Sequence, residues 1–268
     1  MIKSLKLALI VATNLAGIFF FTWPLFINSE FPLMRDLSDA TWVSLLLTLI
    51  AVLILALDIS TRLLDSKTVA IVAVLVSLIA ALRLLGAGAV GLEPMWFLLI
   101  ISARALGAEL GYVISVVAMF VSGLITGGVG PWLPFQILAA SWIALGVRII
   151  PRSFKANSEI FSLSVYGFFA ALLYGALMDL QLWPWILGTD TQLSYQPGAA
   201  ITENLARFTT FHFATAMSWD LPRAILTATL IALTGRSILF ALHRANSRMT
   251  AIADWRTASG RGKEQKVV

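Results

Sequence analysis

The chain has 268 residues, 59% of them hydrophobic and 12% charged, with a mean hydropathy of +0.89. A soluble domain carries about 25% charged residues, so this chain lacks the polar side chains to coat a globular surface and belongs in a membrane. The net charge of +5 and a pI near 9.8 would suggest nucleic acid for a soluble protein; in a membrane protein the same excess collects on cytoplasmic loops, and no nucleic-acid partner is expected. Cys is absent, which excludes disulfides and thiolate metal sites. The two histidines, His212 and His243, lie far apart, so no metal or haem site and no cofactor is expected.

A hydrocarbon core takes about 20 apolar residues of helix to cross. The first candidate span is 7–27. Its apolar run is longer than a signal-peptide core of about 7–15 residues, and bulky "TWPLFINSEF" follows instead of a cleavage site, so it reads as a retained helix. Further spans are expected at 42–58, 68–87, 95–104 with 106–125, 135–150, 160–182 and 221–243. The run from Glu93 to Ile125 is too long for one crossing and is divided at "ARALGAELG", where Arg104, Gly107, Glu109 and Gly111 cluster. The fold class is therefore an all-α, polytopic membrane protein of about eight helices.

With the N-terminus inside, the inner segments hold Lys3, Lys6, Arg62, Lys67, Arg104, Arg148, Arg152, Lys155 and the basic residues of the tail. The outer segments hold only Arg35, Arg83, Arg207 and Arg223. This bias places both termini in the cytoplasm of a multi-pass plasma-membrane protein. The tail 245–268 is polar and basic and reads as a solvated, disordered end that meets anionic lipid at most.

The outer loops are unusual. They are 28–41, 86–94, "TGGVGPWLPFQ" at 126–136, and a long segment from Asp179 to Asp220. A structureless loop of that length is uncommon and usually functional. Its part 199–216 is partly apolar and suits an interfacial or helical lid. Aromatic residues crowd the same side, including Trp132, Phe135, Trp183, Trp185, Tyr195, Phe208 and Trp219. An interfacial belt accounts for aromatics, but belts do not need the interleaved Gly and Pro.

Enzyme signatures are missing: there is no HExxH, no GxSxG and no Walker loop. "GAGAVG" at 86–91 follows a membrane helix rather than a strand, so it is no dinucleotide loop. Glu93 and Asp179 both fall toward the outer face, but their spacing does not force them together, and no catalytic residue is assigned. Irregular backbone at membrane depth is tolerated where it is buried in protein or lines a wet cavity. Gly, Trp, Phe and Gln there suit a bulky, partly flat ligand: aromatic faces stack, glycines allow close approach, and Gln136 both donates and accepts. Arg83 and Glu93 flank the neighbouring loop, either snorkelling or orienting the ligand. In span 68–87, Ala73, Ser77 and Ala81 form a small-residue stripe, suited to packing within the chain or docking on a partner. Arg236, within span 221–243, either snorkels or meets a partner.

From span 68 onward the ordered pattern "RLLGAG…EP", "GGVGPWLPFQ" and "YGFFAALLYGALMDLQLWPW" resembles the substrate-binding S-component of energy-coupling factor (ECF) vitamin transporters, in an actinobacterial branch assigned to cobalamin-type substrates. The resemblance covers about two-thirds of the chain. It implies a six-helix core (67–244) binding one vitamin from the outer face, with cobalamin the first choice. It also implies partners: a transmembrane coupling subunit and two cytoplasmic ATPases. Substrate contacts would then come from Arg83, Glu93, Trp132, Phe135, Gln136 and Trp183. Ala73, Ser77 and Ala81 would occupy the place of the coupling-subunit stripe. Two additional helices within 1–66 depart from the pattern, as does the length of 179–220. The alternatives are an S-component for haem, a thiamine precursor or a flavin, and a scaffold or sensory module that transports nothing.

Overall fold

A computed structural model of the chain describes residues 2–26, 66–86, 91–151, 156–187 and 191–264. These segments are helices joined by short connections, with no strand among the described residues. They are α1 (Ile2–Phe26), α2 (Ser66–Leu85), α3 (Met95–Leu106), α4 (Ala108–Ile125), α5 (Leu133–Gly146), α6 (Ala156–Ile186), α7 (Ile201–Phe211) and α8 (Met217–Glu264). A 3₁₀ turn, Val147–Ile149, ends α5, and a π-helical turn, His212–Ala216, joins α7 to α8. Among the described residues, four stretches are long and apolar enough to cross a membrane: α2, α4, α6 and the continuous run Ile201–Ser247. Shorter apolar helices lie at Val11–Leu25, Met95–Leu106 and Leu133–Ile149. The expected span 42–58 and the loop 28–41 lie outside the described residues.

The break expected near Gly107 is present. Gly107 has φ +94°, which an L side chain rarely adopts, and α3 stops on one side of it while α4 starts on the other. Gly111 then packs α4 against α3, where a Cβ would lie 2.4 Å from that of Ala103. The two helices pack on each other, and their residues Leu99, Ile100, Ala103, Ile114, Ala118 and Met119 are buried.

Three expectations change. The segment 179–220 is largely helical: α6 carries Pro184 and continues to Ile186, and helix resumes at Ile201. Burial of Leu180, Gln181 and Trp183 keeps the chain helical through the proline, against the local helix-breaking tendency of Pro. The expected helix at 221–243 begins earlier, because α7, the π turn and α8 run without interruption. The basic tail continues that helix to Glu264 instead of leaving it at residue 244.

α1 packs onto the bundle. Phe21 and Trp23 are buried, Phe21 meets Phe135 edge-on at 5.1 Å, and Trp142 donates its indole N–H to Asn14 at 2.5 Å. Gly17 makes that approach possible, since a Cβ there would sit 3.0 Å from Leu138 and 3.2 Å from Trp142. At one end of the bundle Arg104, nearly buried, donates to Glu159 (2.7 Å) and to the carbonyls of Ile150 (2.8 Å) and Pro151 (3.0 Å). This clasp ties α3, the end of α5 and the start of α6, and it satisfies carbonyls that the helix ending would leave open. Two grooves of about 510 and 410 Å³ open at this end, the larger between α6 and α8 beside Glu159, Arg236 and His243.

Candidate functional site

The opposite end of the bundle holds the polar residues that sequence placed on the outer side. Arg83, on the last turn of α2, reaches across to α4 and α5. It donates to Gln136 Oε1 at 2.7 Å, Ser122 Oγ at 2.8 Å and the Met119 carbonyl at 3.2 Å. All three acceptors are neutral, and among the described residues Arg83 has no carboxylate partner. Gln136 spends its carbonyl on the arginine, which turns its amide donors elsewhere. Two of the expected contact residues, 53 positions apart, are thus joined directly.

Glu93 belongs to a second, adjoining network. It accepts from Trp96 Nε1 at 2.9 Å and from Arg223 at 3.1 Å. Arg223 also donates to Asp220 Oδ1 at 2.5 Å and stands over the Tyr174 ring, 5.5 Å from its centroid. Tyr174 in turn packs on Trp96. Asp220 is 2% exposed, and its carboxylate lies flat over Gly175 of α6. No larger residue fits there: an added Cβ would meet the carboxylate at 2.0–2.1 Å. Gly91 (φ +65°) is pinned to this point, because it lies against the Trp219 carbonyl, 2.2 Å from an added Cβ.

His212 completes the group. Its Nδ1 lies 2.7 Å from Asp179 Oδ2, a hydrogen-bond distance, and 3.9 Å from Asp220 Oδ2. The ring stacks on Phe208 and takes the edge of Phe213. Polar atoms without a hydrogen-bond partner follow along α8: Asp220 Oδ2, Arg223 Nε and Thr227 Oγ1 are all buried. At membrane depth such groups are costly, and ionisable residues there mark functional positions.

The aromatic residues divide. Trp183 is fully buried and donates its N–H to the Leu193 carbonyl at 2.7 Å, fastening the 191–196 segment among Tyr195, Phe208 and neighbouring rings. Phe135 is 4% exposed and packs on α1. Both are packing residues here. Trp132 is 41% exposed and donates to the Gly128 carbonyl at 3.0 Å, so its ring lies at the rim. Ala73, Ser77 and Ala81 all sit on the exposed face of α2, and Ser77 returns its hydroxyl to the Ala73 carbonyl at 2.8 Å. Packing of this stripe inside the described bundle is therefore not what it does.

Sequence reasoning missed Asp179, His212, Asp220 and Arg223 as one group. Asp220 and Arg223 carried a local signal, two ionisable residues three apart at the head of an apolar run. Asp179 and His212 had none, because 33 residues separate them and only the antiparallel return of the chain brings them together. Compared with protein-family models, with curated proteins and with solved structures, the chain gives no match.

Proposed function

We propose that this protein is the membrane-embedded substrate-binding subunit of an ECF-type importer, capturing a vitamin or cofactor precursor, with cobalamin the first candidate. The observation that carries the reading is Arg83, a cation near one end of the bundle that is held by Gln136, Ser122 and a carbonyl and has no carboxylate partner among the described residues. A cation with neutral partners is ready for an oxygen-bearing ligand, and the adjacent Gln136 amide adds donors for a carbonyl or phosphate. Trp132 at the rim offers a stacking face. Cobalamin suits this set chemically, with a flat macrocycle edged by amides and a phosphate. The exposed stripe Ala73, Ser77 and Ala81 allows close approach of a coupling-subunit helix. ATP hydrolysis would belong to the partner subunits.

The test is ligand binding in nanodiscs followed by tryptophan quenching, with mass spectrometry of what co-purifies. Saturable cobalamin binding is expected, weakened at least about tenfold by Arg83→Gln, the worth of about one charge-assisted hydrogen bond. Absence of saturable binding to cobalamin, haem, thiamine precursors and flavins removes the proposal. Co-purification of an ATPase-bearing complex separates an importer subunit from a scaffold.

A further inference from the structure

We infer that Asp179, His212 and Asp220 form a binding site for a first-row divalent transition-metal ion, independent of the ligand-binding role proposed above. Each contributes one ligand atom, and these atoms lie within 4.8 Å of one another. The donor set is one imidazole nitrogen and two carboxylate oxygens, which suits Zn²⁺ and its neighbours and, through the imidazole, disfavours Mg²⁺ and Ca²⁺.

Asp220 provides the second, independent observation. It is 2% exposed, yet its Oδ2 has no hydrogen-bond partner. Arg223 holds the other oxygen at 2.5 Å and so turns Oδ2 toward His212, 3.9 Å away. A buried carboxylate oxygen without a donor has lost its hydration and gained nothing in return. Metal coordination would satisfy it. Ligating carboxylates are themselves hydrogen-bonded, as Asp220 is by Arg223.

Charge agrees with a dication. The connected group holds three carboxylates, Asp179, Asp220 and Glu93, against one guanidinium, that of Arg223. Arg83 donates to neutral acceptors and to none of these carboxylates. One divalent ion restores neutrality. The three ligand atoms, within 4.8 Å of one another, must draw together around the ion. Ligand atoms about 2.0–2.2 Å from a tetrahedral ion stand about 3.3–3.5 Å apart. The His212–Asp179 contact must open somewhat from 2.7 Å, and the His212–Asp220 contact must close from 3.9 Å. Coordination through Nδ1 requires the tautomer that carries its proton on Nε2. His212 heads the π-helical turn, a feature frequent at functional sites, and its ring is steadied by Phe208 and Phe213.

The experiment uses the full chain, free of affinity tag, in nanodiscs made with zwitterionic lipid. Zn²⁺ is titrated calorimetrically, and Co²⁺ uptake is followed by its visible absorption. We expect saturation at about one ion per chain and a Co²⁺ spectrum of low coordination number, with affinity lowered in both His212→Ala and Asp179→Asn by at least the about 10–100-fold that loss of an outer-shell partner costs. Glu203→Gln, which removes an exposed pair outside the cluster, should bind as the parent does. The site is overturned if Zn²⁺ shows no saturation, if Co²⁺ keeps its six-coordinate aquo spectrum, or if both variants bind like the parent. The wild-type Co²⁺ spectrum keeps the test decisive even if a variant folds poorly. Because no vitamin enters the assay, its failure leaves the binding role of Arg83 and Gln136 untouched.

Discussion

Replacing Gly175 by Ala tests how the charged network is housed. The added methyl would lie 2.0 Å from Asp220 Oδ2 and 2.1 Å from both Cγ and Oδ1, while an ordinary contact begins near 3.4 Å. The carboxylate must retreat by about 1.4 Å, the difference between those distances, or α6 and α8 must separate. Overpacking of this kind costs about 1–3 kcal/mol. Retreat also pulls Asp220 from Arg223, and losing one partner of a buried pair costs about 3–5 kcal/mol. Arg223 keeps Glu93, so the lower part of that range applies. Ala returns about 1 kcal/mol of helix propensity. The expected net loss is about 3–5 kcal/mol, the sum of those opposing effects. The assay is reversible unfolding in mixed micelles, read by tryptophan fluorescence. A double-mutant cycle with Asp220→Ala then locates the cause: removing the carboxylate should relieve most of the Gly175→Ala penalty. Full additivity of the two substitutions, or a Gly175→Ala protein as stable as the parent, refutes the reasoning.

Other substitutions test separate parts of the fold. Arg104→Ala should lower the thermal midpoint in detergent, with a loss of about 2–4 kcal/mol, and Arg104→Lys should recover little, because a lysine cannot serve Glu159, Ile150 and Pro151 at once. Gly91→Ala should destabilise clearly more than Gly127→Ala. Both residues have positive φ, worth about 1 kcal/mol, but an added Cβ at Gly91 strikes the Trp219 carbonyl and at Gly127 meets nothing within 4 Å. Equal midpoints for the two variants would count against the docking of Gly91 on α8. Trp142→Phe should loosen α1 by about 1 kcal/mol through loss of the bond to Asn14, seen as earlier proteolysis within α1, and unchanged proteolysis would argue that the bond holds nothing.

Sequence alone determined the solvent and much of the helical plan. Twelve per cent charge in a chain of mean hydropathy +0.89 leaves no way to build a soluble surface, and apolar length marks helices without reference to partners. The break at Gly107 was legible because a glycine set among charges interrupts hydropathy locally. Arg83, Glu93 and Gln136 were legible as candidates because polar groups are rare in such a chain, and Arg83 and Gln136 do meet. Tertiary structure decided the rest. Helix continues through Pro184 and upstream of Asp220 because burial and packing there outweigh local breaking signals. α1 docks on α5 through Asn14 and Trp142, 128 residues apart, and hydropathy has no term for such pairings. The same holds for Glu93 with Arg223 and for Asp179 with His212: each was visible as a residue, but only the packing of α8 on α3, and of the π turn and α8 on α6 close by Gly175, brought them together.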